Sequence, residues 1–479
     1  MKRLFAVFIG LGVVVSSAYG ADYQVTKVAD TASGAFTSIF IPTINNDGAV
    51  AFRGSNGASV EGVYGAPPTT VIADETDARF ASFADPSISN NGFVAFDAFE
   101  TGGLDNGIYR GVLGGSNPAT LLYDTSDAFS CVLNPSVNTS GAVAFRGESA
   151  ANCESFVDVP AGIYVGTGGV LTLIADNAGD FSDVGFEPRI NDNGTVVFTA
   201  DRVSGDLGVY TGDGGILTTI IEGGGTYISL LGPTINCAGT VAVVAIPSGG
   251  GRAILTGNGG AITTVVDDSS GLSDFRQASI NCGEAIVFVA RAPNFGPDGI
   301  YSASNGVINK VIEVGDSLEG LTVEHVTFSN TALNDNDQIA FRAKLSDDND
   351  YIFVVDVTDS DGDGTADDVD TDDDGDGVPD GEDPFPLDPD ESADTDGDGI
   401  GDKADTDDDG DGMLDNFEIG NGFDPLDPAD ALEDADGDGF TNLAEFHART
   451  DFDDPLSTPD DNARAVMVIL DLITGDDPK

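Results

Sequence analysis

A phrase of nine residues returns along this chain with small changes: INNDGAVAF from Ile44, ISNNGFVAF from Ile88, VNTSGAVAF from Val137 and INDNGTVVF from Ile190. Aligned on its last aromatic position, it occurs seven times, at Phe52, Phe96, Phe145, Phe198, Val243, Phe288 and Phe341, at intervals of 44 to 53 residues. Repetition at that period means that each copy is one supersecondary unit whose apolar face is buried by its neighbours, and the length is that of a propeller blade. Asn, Asp and Gly accept left-handed backbone angles and close turns with their own side chains, so the phrase reads first as a hairpin turn. If that hairpin is innermost, the seven turns ring one mouth of a central channel, where a ligand site is the competing reading.

Four short strands per copy follow from the pattern. A leading strand (PTIN at Pro42, PSIS at Pro86, PSVN at Pro135, PRIN at Pro188) meets the turn, then alternating residues such as AVAFRG, then GVY or GIY ending at Tyr64, Tyr109, Tyr164, Tyr210 and Tyr301. Segments such as TTVIAD to Asp74 and LTLIAD to Asp176 supply a fourth. The seventh copy lacks that last strand, and YQVTKVAD, Tyr23 to Asp30, matches it ahead of the first copy. The spacing therefore predicts an all-β chain: a seven-bladed β-propeller over residues 22–357, closed by the N-terminal strand so that no long sheet edge stays open. Register is least determined in the sixth and seventh turns, where Gly283 comes one position early and Asp337 stands where Gly is usual.

These repeats resemble the bacterial NxxGxxAF tandem-repeat family, exported proteins that share the repeat and carry varied C-terminal anchors. The resemblance implies a secreted or cell-surface location and no established catalytic chemistry. Independently, Lys2 and Arg3 before an apolar run and the small residues to Gly20 read as a signal peptide over 1–20. No later segment reaches the roughly 20 apolar residues of a transmembrane helix, so the mature chain is expected to have no such span. In an exported chain the four cysteines suggest disulfides, with 131 to 153 and 237 to 282 the expected pairs and free buried thiols the alternative.

The formal charge of -64 argues against nucleic acid or anionic lipid as a partner and favours cations. It is also uneven: 40 of the 83 acidic residues lie between Asp359 and Asp461, which marks a second segment over 359–460, followed by a tail over 461–479. That segment contains five twelve-residue loops of calcium-loop spacing, acidic at 1, 3 and 5, Gly at 6, Asp or Asn at 9 and acidic at 12. The expected calcium ligands are Asp359, Asp361, Asp363, Asp367 and Asp370 in the first loop and Asp372, Asp374, Asp376, Asp380 and Asp383 in the second. The third supplies Asp394, Asp396, Asp398, Asp402 and Asp405, and the fourth Asp407, Asp409, Asp411, Asp415 and Glu418. The fifth supplies Asp434, Asp436, Asp438, Asn442 and Glu445. Hard oxygen ligands exclude the usual zinc, copper and iron sets.

Two pairs of loops start thirteen residues apart, which leaves no room for EF-hand helices between them. The segment is similar to thrombospondin type 3 repeats, which implies an extended, calcium-stiffened stalk; only the fifth loop has apolar residues at helical spacing. With almost nothing apolar to bury and close carboxylates to repel one another, metal binding and folding are expected to be one event.

No nucleophile elbow, phosphate loop or His-metal motif is present, and the two histidines, His325 and His447, read as packing and surface residues. No catalytic or cofactor-binding residue is assigned. The expectation is therefore a non-enzymatic exported protein that binds Ca²⁺ and presents the propeller for adhesion or scaffolding to an unidentified surface protein or polysaccharide. The alternative is a secreted propeller hydrolase or lyase with a calcium-stabilised C-terminal module, to be favoured by a cluster of buried acidic residues facing a deep channel pocket.

Overall fold

The computed structural model describes residues 13–15 and 23–459, apart from short segments at 68, 102–105, 116–117, 126–128, 150–159, 186, 305, 358–359, 362–366 and 368–369. The predicted leader, save Val13–Val15, and the tail from 460 lie outside the described residues. Two compact units result, Met1–Val369 and Asp370–Lys479.

The first unit is a seven-bladed β-propeller. In blade one Phe36–Ile39 and Thr43–Ile44 form the leading strand, which pairs with Val50–Asn56, followed outward by Glu61–Ala66 and Thr70–Asp74. All the strand pairs are antiparallel, and the turn registers repeat: Ile44 pairs with Val50, Ile88 with Val94 and Ile190 with Val196. Blade seven is completed from the N-terminus, because Tyr23–Asp30 pairs with Asp350–Asp356 from Val25 opposite Val355 to Asp30 opposite Tyr351. Val13–Val15 lies along the outer edge of that strand.

Alternation along each second strand sends the repeat aromatic into one sheet face and the next residue into the other. Phe52, Phe96, Phe145, Phe198, Phe288 and Phe341 are fully buried. Five of them stand cross-strand from the tyrosine of the third strand, with centroids 5.8 to 6.0 Å apart. A third ring, which the repeat phrase does not contain, meets them edge-on or tilted: Phe36, Phe80, Phe129, Phe181 and Phe275. The apolar clusters lie between blades. One joins Ala29, Ala340 and Ile352 of blade seven to Phe36, Val50 and Phe52 of blade one, so the closing strand is part of the core.

The repeat Asn binds these interfaces together. Asn45 Oδ1 accepts from the backbone N–H of Asp47 and Ala49, 3.1 and 2.9 Å away, and so closes its own turn. Its Nδ2 donates to the Ser89 carbonyl of the next blade. Asn138, Asn191, Asn236, Asn281 and Asn334 donate in turn to the carbonyls of Asn191, Asn236, Asn281, Asn334 and Asn45, at 2.9 to 3.2 Å. In blade two, where Ser89 replaces Asn, the ring bond is missing among the described residues, and that seam is held one step outward by Asn91 donating to the Thr139 carbonyl, a bond that Asn193 and Asn336 also make in their blades. Six of the seven seams carry the ring bond. The two irregular turns keep register: Glu284 and Asp337 adopt φ of 65° and 56° at the position that Gly48, Gly92, Gly141, Gly194 and Gly239 occupy at positive φ elsewhere.

Cys237 and Cys282, each just after a ring Asn, are joined by a disulfide across blades five and six. Cys131 is also disulfide-bonded, and its expected partner Cys153 lies outside the described residues.

In the second unit the fourth loop runs into a helix, Asp415–Asn421, which the spacing did not predict, and the fifth into Asn442–Ala448, each helix starting at loop position 9. These pack Phe417 against Phe446 with centroids 4.6 Å apart, and Phe423 and Phe452 join them. The acidic segment therefore has a small apolar core, which also buries Met413 and Ala431. No helix among the described residues is long and apolar enough to cross a membrane.

Asn138→Ala removes a ring donor and leaves the Ser140 and Ala142 amides without their acceptor. The expected loss is about 2 kcal/mol of unfolding free energy, read by chemical denaturation; an unchanged midpoint refutes the structural role given to the ring.

Candidate functional site

Beyond the Asn ring, the leading strands present two further rings to the channel, fixed by the proline of the repeat. The residue before it is Ile41, Asp85, Asn134, Glu187 or Gly232, and Gln277 and Asn330 take this place in blades six and seven. All but Gly232 line a cavity of about 410 Å³, to which Arg53 and Arg189 also contribute. Gly232, Glu187, Gln277 and Asn330 line an adjoining one of about 340 Å³. The mouth ringed by the Asn turns holds a smaller cavity, about 130 Å³. The two larger of these three cavities thus lie away from the Asn turns, whose amides are already used.

The residue after the proline is small in six blades: Thr43, Ser87, Ser136, Thr234, Ser279 and Ala332. Those hydroxyls serve the frame. Ser87, Ser136 and Ser279 accept from the N–H of Val137, Ile190 and Leu333 in the following blades, at 3.2 to 3.4 Å, and Thr43 Oγ1 lies 2.8 Å from Thr331 Oγ1. Blade four has Arg189 at this position. Its Nη1 donates to the Pro188 carbonyl at 3.2 Å, its Nη2 is 3.8 Å from Glu187, and its Nε is buried with no protein partner. Burial pulls this guanidinium below its usual range, and Glu187 partly offsets it. Nothing in the blade architecture requires Arg here, since six blades close without it.

Arg53 is neutralised by Asp85 at 3.0 Å and Glu61 at 3.6 Å and lies over the Phe40 ring. Asp85 and Glu187 keep about half their side chains exposed, 46% and 53%, beside the cavity. The turn Ser329–Ala332 that leads into blade seven reaches across the channel, where Asn330 Nδ2 donates to the Gly232 carbonyl of blade five at 3.2 Å. Gly232 has φ +54°, and a Cβ there would lie 2.6 Å from Asn330 Nδ2, so both backbone angle and space call for glycine. Next to the cavity wall Asp97 is buried between blades, with one carboxylate oxygen unpartnered and Asp85 and Arg53 nearby. Neither histidine belongs to the channel lining. His325 is exposed on Leu321–Thr327, rather than packed as expected, and His447 is exposed on the last helix.

In the second unit the structure brings the residues at positions 1, 3 and 5 together in four loops: Asp372, Asp374 and Asp376; Asp394, Asp396 and Asp398; Asp407, Asp409 and Asp411; Asp434, Asp436 and Asp438. Within each group carboxylate oxygens lie within 4.8 Å of one another, close enough to hold a metal ion. Position 9 sits differently. Asp380, Asp402, Asp415 and Asn442 each accept from the position-2 amide, at 2.8 to 3.2 Å. Asp405 at position 12 accepts from Thr406 and Asp407. Asp383 accepts from the Phe385 amide with one oxygen, and its other is buried and unpartnered. Glu418 and Glu445 are fully buried, and neither carboxylate has a partner on either oxygen. Asp430, outside every twelve-residue loop, joins Asp411 and Glu418, a residue the spacing could not flag. Asp359 and Asp363 lie outside the described residues, Asp367 accepts from Ser360, and Asp370 accepts from Thr371 and Asp372.

A family of unknown function (DUF7453) matches residues 119–353, and comparison with curated proteins gives no match. Among solved structures the chain is similar to an oligogalacturonate lyase from Vibrio parahaemolyticus, at 16% identity and a TM-score of 0.50, covering 73% of this chain and 97% of that one. An oligogalacturonate lyase in complex with manganese is similar at 14% identity and a TM-score of 0.50, covering 73% and 96%. At this identity the likeness concerns the fold. It corrects one expectation: both of these solved propellers are lyases, so the non-enzymatic reading is withdrawn.

Burial, with Asp85 adding to it, raises the Asp97 carboxyl from 3.8 to about 7 in the folded state. The folded form therefore holds a proton that the unfolded form has lost between those values, and stability falls as pH rises from about 4 to 7. Asp97→Asn is expected to remove this fall, so that its melting temperature gains on the wild type through that interval and holds the gain above it. Parallel thermal melts of both proteins across pH check this; a constant difference refutes it.

Proposed function

We propose that the protein is an exported enzyme, a hydrolase or lyase, that acts on an anionic saccharide held in the propeller channel, with a calcium-binding C-terminal unit. The observation that carries this is Arg189: one long cation where the repeat otherwise puts a small residue, with an unpartnered Nε beside a cavity of about 410 Å³. A guanidinium fork pairs two hydrogen bonds with a carboxylate, which fits a uronate-type sugar. Asp85 and Glu187 stand beside the same cavity, half exposed, where a carboxylate can take or return a proton. The fold shared with two oligogalacturonate lyases supports the reading, because every sugar of that oligomer carries a carboxylate.

For the second unit, the crowded carboxylates and the buried, unpartnered Glu418 and Glu445 support calcium, a cation that takes six to eight oxygens and accepts bidentate Glu. Without a cation, burial and then Asp411, Asp409, Asp430 and Asp407 push Glu418 up to about 7.

The test is incubation of the purified protein with polygalacturonate, alginate and a neutral glucan. New ultraviolet absorbance reports elimination, and new reducing ends without it report hydrolysis. Activity is expected on the acidic polymers, and Arg189→Ser, which restores the small residue of the other blades, is expected to lower kcat/KM by roughly a hundredfold, the equivalent of about 3 kcal/mol for a lost charge-assisted bond, at an unchanged melting temperature. An inert protein, or a fully active Arg189→Ser, ends the proposal. Limited proteolysis with and without a chelator tests the calcium unit: cleavage after Asp370 is expected to depend on the chelator, and identical fragments refute it.

A further inference from the structure

We infer that Asp430 is a metal ligand of the fourth loop, and that the ion it holds with Glu418 locks the fifth loop in place. The inference rests on the calcium reading of the acidic unit. Glu418 closes the loop from Asp407 in the first turn of helix Asp415–Asn421, where it is fully buried and neither oxygen has a partner. The helix ends at Gly422, with φ 87°, and the chain turns back to the short 3-10 turn Asp430–Leu432. There Asp430 Oδ2 accepts from the Asp424 amide at 2.9 Å, which holds the carboxylate in one orientation. Its Oδ1 is buried and unpartnered, as is one oxygen each of Asp409 and Asp411. Oxygens of Asp411, Glu418 and Asp430 lie within 4.8 Å of one another. Three carboxylates do not crowd together in a buried pocket with free oxygens turned inward unless a cation compensates them. An all-oxygen set of this kind suits a hard divalent ion of calcium's size.

The fourth site then has five carboxylates, from Asp407, Asp409, Asp411, Glu418 and Asp430, where the fifth loop has four, from Asp434, Asp436, Asp438 and Glu445. Because carboxylate number and rigidity set calcium affinity, the fourth site fills first. Asp430 also reaches the next loop. Its backbone carbonyl accepts from Asn442 Nδ2 at 2.7 Å, and the Asn442 amide donates to Glu433 at 2.8 Å. Asn442 is the position-9 residue whose side chain closes the fifth loop on the Ala435 amide. An ion that fixes Asp430 therefore presents the fifth loop with a prepared anchor, so filling the fourth site tightens the fifth.

Calcium titration of the full-length chain, followed by hydrogen exchange and mass spectrometry of peptides, tests this. In the wild type the peptides of the fourth and fifth loops are expected to gain protection together, at lower calcium than those of the second and third. Asp430→Asn is expected to raise the calcium midpoint of the fourth and fifth loops at least tenfold and leave the second and third unchanged, whereas Asp453→Asn, which removes an exposed charge from the same unit, moves none. If Asp430→Asn abolishes protection altogether, Asp430→Glu is expected to restore it at a shifted midpoint, and failure to do so refutes ligation. Equal midpoints in the Asp430→Asn and Asp453→Asn proteins overturn the inference. Absence of calcium-dependent protection in every loop overturns instead the calcium reading on which it rests.

Discussion

The hydrogen bond from one repeat asparagine to the backbone of the next blade is the contact on which the propeller depends. Each ring Asn is almost wholly buried and uses both ends of its amide: the oxygen holds its own hairpin turn, and the nitrogen holds the neighbouring carbonyl. A backbone carbonyl at such a seam has no water to turn to, so an unmade bond there costs more than a made one gains. Since each link sets the height of the next turn, every leading strand enters the channel at the same level. That common level is why residues just before and after the proline form rings at all.

A frame this regular makes departures from it informative. Ser, Thr or Ala after the proline is explained by packing and by hydroxyl bonds to the following blade, and Arg189 is explained by neither. Asn330 departs in another way, by spanning the channel to blade five where Gly232 leaves room. Both irregularities line the channel cavities. The blades supply rigid walls, and a few exceptional side chains supply the chemistry, the usual division between scaffold and site.

In the acidic unit the balance is reversed, because carboxylates supply most of the structure and their repulsion opposes it. Backbone amides offset part of that: the position-2 amide bonds position 9, and the position-6 glycine amides bond position 1. Glu418 and Glu445 have no such compensation. The small aromatic core of Phe417, Phe423, Phe446 and Phe452 supports only the last two loops, so the unit is built unevenly along its length.

Blade number, the strand borrowed from the N-terminus, the turn positions and the phase of the acidic loops were legible in the sequence, because each depends on local periodicity or on residues suited to one backbone conformation. The disulfide between Cys237 and Cys282 was legible because the repeat placed both at one turn position. Arg189 stood in plain view as PRIN among PTIN, PSIS and PSVN, yet its meaning required knowing that this position faces a channel. Asp430 carried no signal, since no spacing links it to the fourth loop. By itself the sequence determined the repeating unit, its turn chemistry and the acidic loops, all properties of residues within a few positions of one another. Only the tertiary structure decided which side chains share a cavity or an acidic cluster, because ring closure and chain reversal bring together carboxylates, amides and guanidinium groups far apart along the chain.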